Sequence, residues 1–152
     1  MDRVPESPAT SELLRWIAYE RDAAWTAKLA IVRARRREDI AHFGACLREH
    51  DRHAAELGQL VRATSPAVDI PTEPSFVTKD AFVVGAVDDA QDLLAAMDRI
   101  ETARVERYEQ RPGRPAAAPG GHIDEILERH LADARARLAS LRRLGARRQV
   151  AA

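Results

Sequence analysis

Proline and glycine are concentrated in two short stretches of this chain, and the long segments around them contain few of either. The first stretch, SPAVDIPTEPSF, spans residues 65–76, and the second, RPGRPAAAPGG, spans residues 111–121. The neighbouring segments carry apolar residues at steps of three and four, which is the period of an amphipathic helix. Because proline interrupts regular structure, the two stretches predict a loop and a flexible connection between helical segments.

The segment before the first loop is too long for one helix in a domain of this size. It divides at RARRRED, residues 33–39, where arginines suit a helix C-terminus and the acidic pair suits the next N-terminus. The sequence therefore predicts four helices, at residues 10–35, 38–63, 78–110 and 122–145. Four amphipathic helices without a strand signal predict an all-α four-helix bundle, built from two antiparallel hairpins joined by a long loop.

The length of 152 residues is that of one ordinary domain. We expect residues 1–9 to form a flexible N-terminal tail, residues 10–145 the bundle domain, and residues 146–152 a solvated C-terminal tail. The start of the chain lacks a basic and an apolar region, so no secretory signal is expected. The longest apolar run, AFVVGAV, is far shorter than the roughly 20 residues that span a bilayer. These features predict a soluble, cytoplasmic protein without membrane contact.

Charge and cysteine content exclude some classes of function. Twenty-four basic and 24 acidic residues leave no net charge, which argues against a dedicated nucleic-acid-binding protein. The arginine run at residues 33–37 offers a nucleic-acid patch as an alternative, but it also suits the helix end. A single cysteine, Cys46, excludes a disulfide framework within the chain and a thiolate zinc knuckle. Cys46 is expected to be a small core residue.

A polar residue continues the apolar face of each predicted helix. With about 100° of rotation per residue, the stripe is continued by Glu20 in the first helix and by His50 in the second. Glu101 takes this position in the third helix and His130 in the fourth. His53 lies about 60° from the centre of its stripe, within the usual width of about 100° or more. The sequence therefore predicts that these ionisable side chains face the core.

The depth of these residues along the helices predicts how they pair. Glu20 and His50 lie about 16 and 14 residues from the turn between their helices. Glu101 and His130 lie about nine and eight residues from the second connection. Each hairpin is thus expected to pair a glutamate with a histidine. A buried carboxylate costs several kcal/mol unless it is paired or bound to metal, so the expected burial of both Glu20 and Glu101 requires an explanation.

This pattern resembles the ferritin-like superfamily, and more closely a branch of small bacterial ferritin-like domains of uncharacterised function. Members carry a metal-binding Glu on the first and third helices and an ExxH motif on the second and fourth. Glu20 matches the first glutamate, His53 in LREHDRHAAEL the second-helix histidine, and Glu101 in IETARVERY the third-helix glutamate. ERHLADARARL matches the fourth helix, and the resemblance covers residues 11–144. It implies a metal-binding bundle.

The chain departs from the family's ligand pattern on two helices. His50 stands where the second helix should carry glutamate, and Ala136 stands where the fourth should carry histidine, with Asp133 at the edge of the stripe. The remaining candidate ligands are two carboxylates and two or three imidazoles: Glu20, His50, His53, Glu101 and His130. This set suits one divalent ion (Fe, Mn or Zn) better than two. If the protein is an enzyme, we expect metal-dependent redox chemistry with oxygen or peroxide, in a stress-related role.

The alternative is a metal-free structural or partner-binding bundle, in which buried Glu–His pairs set the helix register. Arg137, in a core position predicted to lie near a bundle end, is expected to extend its charge to solvent. A second apolar strip on the first helix predicts a homodimer or larger assembly, and ferritin-like relatives commonly associate through their first hairpin. Its residues are Leu14, Trp25, Leu29 and Val32. Cover by loop residues Ile70 and Phe76 is the competing interpretation.

Overall fold

The computed structural model describes residues 7–75, 79–111 and 121–151, and every regular element within these ranges is an α-helix. The helices are α1 (Pro8–Arg33), α2 (Arg37–Thr64), α3 (Lys79–Gly85), α4 (Ala90–Glu109) and α5 (Gly121–Ala151). The predicted all-α class is confirmed. No helix in the described ranges combines the length and the apolar content required to cross a membrane.

The first two helices form a tightly connected hairpin. Ser7 caps α1, because its hydroxyl accepts a hydrogen bond from the backbone N–H of Thr10 at 3.1 Å. Only residues 34–36 separate α1 from α2, and Glu38 and Asp39 lie in the first turn of α2, where they oppose the helix dipole. The two helices pack along each other. The predicted division within the arginine-rich segment is therefore confirmed.

The third predicted helix is interrupted. α3 ends at Gly85, and α4 begins at Ala90 after an irregular connection. Asp89 caps α4 by accepting hydrogen bonds from the backbone N–H groups of Gln91 and Asp92 at 2.7 and 2.8 Å. A helix that continued through this point would leave Asp89 without these capping bonds, and glycine adds its own helix-breaking tendency. The single helix predicted over residues 78–110 is therefore wrong in its first third.

The last helix is longer than the sequence predicts. α5 continues to Ala151, so most of the expected C-terminal tail is helical, and the boundary at residue 145 is wrong. Arg148 explains the extension, because its guanidinium is buried and donates to the carboxylate of Asp39 at the start of α2. Of the predicted N-terminal tail, residues 1–6 lie outside the described ranges. The same holds for residues 112–120 of the second connection.

Two apolar clusters lie at different levels of the fold, and the ionisable side chains lie between them. The first apolar cluster includes Trp16, Leu57, Tyr108 and Ile126, near the start of α1 and the ends of α2 and α4. The second includes Ala30, Phe43, Leu93, Met97 and Leu141, near the opposite ends of those helices. Glu20, His50 and Glu101 fall between these levels on α1, α2 and α4. The fold therefore places buried charge in its middle.

The second apolar strip of α1 is covered only in part. Leu14 and Ile70 both pack against the first apolar cluster, so the loop does approach that end of the strip. At the other end, Trp25 and Val32 remain 41% and 79% exposed. Phe76, the other residue expected to cover the strip, lies outside the described ranges.

Candidate metal centre

All of the ionisable side chains expected to face inward are buried. Glu20, His50, His53 and Glu101 are each 1% exposed, and His130 is 0% exposed. The prediction from helical periodicity is therefore confirmed for each of them, including His53, which lay off the centre of its stripe. Cys46 is also buried, as expected for a small core residue. Burial of this many ionisable groups requires that each has a compensating partner.

Glu20 and His50 form the buried pair that the sequence predicts. His50 Nδ1 lies 2.7 Å from Glu20 Oε2, in the hydrogen-bonding range. The other carboxylate oxygen, Oε1, accepts a hydrogen bond from the hydroxyl group of Tyr108. Tyr108 is held in turn by Trp16, whose ring stacks on it with centroids 4.5 Å apart. Glu20 is thus bonded through both oxygens and shielded from solvent by aromatic rings.

His53 connects this buried pair with the protein surface. Its Nδ1 lies 3.5 Å from Glu20 Oε2, which is longer than an ordinary hydrogen bond. Its Nε2 lies 3.0 Å from Oδ2 of Asp133, a partly exposed carboxylate on α5. Asp133 also accepts a hydrogen bond from the exposed Arg52 at 2.9 Å. The imidazole of His53 therefore lies between a buried carboxylate and a surface carboxylate.

His130 packs against His53 rather than facing Glu101. The two imidazole rings stack with centroids 3.7 Å apart and planes inclined by 13°. His130 Nε2 lies 2.9 Å from Oε2 of Glu56, a partly exposed residue of α2 that also accepts from Arg129. Lone pairs of imidazole nitrogens lie in the ring plane, so two stacked, nearly parallel rings do not direct them at a common point. His130 consequently supports His53 and does not join it around one ion in this arrangement.

Glu101 is neutralised by two arginines. Its Oε1 lies 2.7 Å from Arg104 and its Oε2 lies 2.8 Å from Nε of Arg137. Arg137 also reaches Glu49 at 3.1 Å. The predicted pairing of Glu101 with His130 is therefore wrong, and so is the prediction that Arg137 extends to solvent. A guanidinium is charged at every relevant pH and offers several donors, so it neutralises a buried carboxylate more completely than imidazole can.

The protonation of the buried groups follows from these contacts. Burial alone would raise the pKa of the Glu20 carboxyl, but His50 and His53 hold it well below its usual range. Burial lowers the pKa of His50, so a neutral ring donates its Nδ1–H to the ionised Glu20. Burial alone would lower the pKa of His53, but the neighbouring carboxylates of Glu20 and Asp133 raise it above its usual value. Burial, together with the nearby charge of His53, lowers the pKa of His130.

Each of the three buried histidines has one ring nitrogen next to a carboxylate and one without a hydrogen-bond partner among the described residues. The partnered nitrogens are those that contact Glu20, Asp133 and Glu56. The unpartnered ones are Nε2 of His50, Nδ1 of His53 and Nδ1 of His130. Metal-bound histidines in proteins show the same division, because a carboxylate on one nitrogen fixes the tautomer and leaves a lone pair on the other.

Three of the predicted ligands come together closely enough to share an ion. Ligand atoms of Glu20, His50 and His53 all lie within 4.8 Å of one another. Ligands bound at about 2.1 Å to a common ion are separated by about 3.0–3.4 Å at tetrahedral or octahedral angles. Nδ1 of His53 lies 3.5 Å from Glu20 Oε2, close to this range, whereas Nδ1 of His50, at 2.7 Å, is hydrogen-bonded to the same oxygen. To hold one ion, the three side chains would shift slightly and His50 would exchange its hydrogen bond with Glu20 for a bond to the ion.

In a second group, ligand atoms of Glu49, His53 and Asp133 also lie within 4.8 Å of one another. Its two carboxylates are already paired with arginines, Glu49 with Arg137 at 3.1 Å and Asp133 with Arg52 at 2.9 Å. A cation at this position would compete with two guanidinium groups. The described contacts of the Glu20 carboxylate include no guanidinium, and Arg52 approaches the inner group of Glu20, His50 and His53 only at Nε2 of His53, at 3.4 Å. The inner group is therefore the more suitable cation site.

Sequence reasoning missed three contributors to this region. Tyr108 was not identified as a polar contributor, although its hydroxyl group donates to Glu20. Arg104 lies three residues after Glu101 on the same helical face, a spacing typical of ion pairs that could have indicated its role. Glu56 carried no signal, because it lies beside the apolar stripe of α2 and contacts a residue of a distant helix.

Comparison of the chain with models of protein families, with curated proteins and with solved structures yields no match. Functional conclusions therefore depend on the geometry of the buried residues.

Proposed function

We propose that this protein is a ferritin-like four-helix-bundle protein that binds one divalent transition-metal ion through Glu20, His50 and His53. The proposal depends chiefly on one observation. These three buried side chains converge within 4.8 Å, and Nδ1 of His53 makes no hydrogen bond among the described residues although it faces a carboxylate. A lone pair directed at an anion is repulsive unless a proton or a cation lies between them. The raised pKa of His53 indicates that a proton serves this purpose when no metal is bound, and a bound cation would take the place of that proton.

The ligand types favour iron, manganese or zinc. Two imidazoles and one carboxylate are a common set for catalytic zinc and for non-haem iron, both of which keep further coordination positions open. A metal bound here would supply Lewis-acid chemistry or, for iron or manganese, redox chemistry. If the bound metal is redox-active, we propose that the protein reacts with oxygen or peroxide in a stress response.

Two residues outside the ligand set position the ligands. Tyr108 donates to Oε1 of Glu20, which leaves Oε2 facing the histidines. Asp133 accepts from Nε2 of His53 and thereby favours the tautomer whose Nδ1 carries a lone pair towards Glu20. Both contacts restrict rotation of a ligand side chain. They therefore reduce the entropy that metal binding would otherwise remove.

The proposal specifies one ion rather than two. A second ion in a ferritin-like site requires further carboxylates, and Glu101 is engaged through both of its oxygens by Arg104 and Arg137. His130 stacks on His53 and contacts Glu56. Neither side chain is free to serve as a ligand without breaking a buried contact. Glu101 and His130 are accordingly left out of the proposed ligand set.

The direct test is metal content per chain, measured by elemental mass spectrometry after loading with Fe(II), Mn(II) or Zn(II) and removal of free metal. We expect about one ion per chain in the wild-type protein. His50→Gln and His53→Gln should lose it, because glutamine keeps a polar side chain but replaces the imidazole ligand. His122→Gln is the matched control, since this histidine is exposed and lies far along α5 from the site. Wild-type protein that takes up none of these metals would refute the proposal.

A second candidate function, a metal-free structural bundle, is favoured by one observation. The same interior satisfies Glu101 entirely with arginines, which shows that buried carboxylates in this fold do not require metal. Glu20 would then be stabilised by Tyr108 and by the imidazoles of His50 and His53. The two functions differ in how chelation acts. Under the metal proposal, a chelator lowers the melting temperature of the wild type but not of His53→Gln; under the alternative, it changes neither.

A further inference from the structure

An apolar groove of about 500 Å³ lies on the outer face of α1, away from the buried histidines. Its walls come from α1, from the loop after α2 and from α3, and its lining residues are Trp25, Leu29, Glu73, Pro74, Ser75, Ala81 and Phe82. Five of these seven residues are apolar. A concave apolar surface of this kind is a favourable site for a complementary apolar side chain.

The walls of the groove are held in place by polar contacts. The carboxylate of Asp22 on α1 accepts hydrogen bonds from the backbone N–H and the hydroxyl group of Ser75, at 2.8 and 2.7 Å. On the other side, Arg33 of α1 donates to the carbonyl oxygen of Gly85 at the end of α3. Loop and helix are thus both fastened to α1. A partner can therefore bind without first ordering the groove.

A large aromatic side chain projects from the rim of the same groove. Phe82 is 70% exposed, and Trp25 beside it is 41% exposed. Exposed single apolar residues are ordinary, but two aromatic rings next to an apolar groove form a contiguous patch typical of a contact surface. The projection and the groove lie on one face of one chain. That arrangement restricts the kind of partner that fits.

We infer that this surface binds a second copy of the chain, with Phe82 of each protomer inserted into the groove of the other. In a two-fold symmetric contact, each patch must be complementary to itself. A face that carries both a projecting ring and an apolar groove meets that requirement for shape. A partner protein of unrelated sequence would need only the groove and would not account for the projecting ring. The inference does not depend on metal binding.

Charged residues of both signs lie in or next to the segments that form the groove. Glu73 lines the groove, and Lys28 and Lys79 are exposed on α1 and at the start of α3. In a two-fold symmetric dimer, an acidic side chain of one copy can face a basic side chain of the other. A surface that carries charges of both signs therefore favours association of two copies of the chain. The absence of net charge on the chain also removes long-range repulsion between copies.

The first test is the oligomeric state, measured by sedimentation velocity over a series of protein concentrations. The wild type should form a dimer. Phe82→Glu should raise the dimer dissociation constant at least about 30-fold, because each interface loses two buried aromatic anchors and gains two charges. Val150→Glu is the control: Val150 is 90% exposed at the end of α5, away from the groove, and its substitution should leave the dimer intact. A wild type that stays monomeric at high micromolar concentration overturns the inference.

The second test checks which surfaces meet. Leu29→Cys and Phe82→Cys are prepared as separate single variants of different mass and mixed under oxidation by diamide, which accepts the two hydrogens released on disulfide formation. The insertion of Phe82 into the partner's groove predicts a cross-link between the two variants in preference to either variant with itself. Native Cys46 does not compete, because it is buried. Cross-linking without this preference, or a dimer that survives Phe82→Glu, would show that another surface is used.

Discussion

Two buried glutamates lie in the middle of this fold, and the chain neutralises them in different ways. Glu101 is held by the guanidinium groups of Arg104 and Arg137 at 2.7 and 2.8 Å. Glu20 is held by the hydroxyl group of Tyr108 and by the imidazole of His50 at 2.7 Å, with His53 at 3.5 Å. Both carboxylates are 1% exposed, so burial does not distinguish them. Only the chemistry of the partners differs.

This difference separates a structural site from a candidate functional site. Guanidinium has donors only and cannot lose its proton, so an arginine pair leaves no lone pair for a cation. Imidazole has two nitrogens, and the histidines around Glu20 each use one of them on a carboxylate. The other nitrogen remains available to a proton or a metal. We therefore expect Glu101 to contribute to stability and Glu20 to metal binding.

The largest expected effect concerns Glu101. Glu101→Gln should lower the free energy of unfolding by about 3–5 kcal/mol, because the buried Arg104 and Arg137 lose the counter-charge that they share. Their other carboxylate partners, Asp80 at 3.7 Å and Glu49 at 3.1 Å, are partly exposed and compensate only in part. Metal content should not change. Both quantities are measurable on the same preparations, by urea denaturation and by elemental analysis.

Glu109→Gln provides the matched control for Glu101→Gln. Glu109 also pairs with an arginine, Arg135 at 2.7 Å, but both side chains are exposed, so its loss should cost less than about 1 kcal/mol. If the two substitutions cost the same, burial of the Glu101 pair does not matter to stability. Loss of metal on Glu101→Gln would instead return Glu101 to the ligand set.

Acid should weaken the Glu101 cluster over a defined range of pH. Burial alone would raise the pKa of this carboxyl, but Arg137 and Arg104 lower it to about 2, from a usual value of 4.5. Because the folded pKa is the lower one, the stabilisation is complete above pH 4.5 and is lost as the pH falls towards 2. The shift corresponds to about 3 kcal/mol. Urea denaturation of the wild type and Glu101→Gln should therefore give curves that converge as the pH falls.

Convergence of the two stability curves reports on Glu101 alone, because every other carboxylate titrates in both the wild type and Glu101→Gln. A stability difference that stays constant between pH 5 and pH 2 would show that folding does not lower the pKa of the Glu101 carboxyl and that its ion pairs do not stabilise the fold.

The direction in which each polar residue faces could be predicted, because it depends only on the helical period. The depth argument also predicted Glu20 with His50, since both positions are counted from the same short turn, at residues 34–36. Partners across the longer second connection, residues 111–121, or between the two hairpins could not be predicted in this way, because no short turn fixes their register. A shift of one residue moves a side chain by about 1.5 Å along the axis and about 100° around it. Glu101 with Arg137, and His130 with Glu56, depend on that register.

Helix ends account for two other differences between prediction and structure. Arg137 was assigned to a bundle end because the last helix was expected to stop at residue 145, whereas α5 continues to Ala151 and places Arg137 in the interior. The break between α3 and α4 was hidden by apolar residues that keep their heptad spacing across it. Asp89 was the visible signal, because aspartate before a helical segment is a favoured N-cap.

The smallest expected effect concerns Asp133, which contacts the proposed ligand His53 but is not itself a proposed ligand. Asp133→Asn should weaken metal binding by about 10- to 100-fold without changing the number of ions bound, because the amide is a poorer acceptor for Nε2 of His53. Competition with a chromophoric chelator measures this affinity. Asp51→Asn is the control, because Asp51 is an exposed carboxylate that pairs with Arg21 at 3.2 Å and contacts none of the proposed ligands in the described residues. Equal affinity in the two variants would mean that the contact between Asp133 and His53 does not orient the ligand.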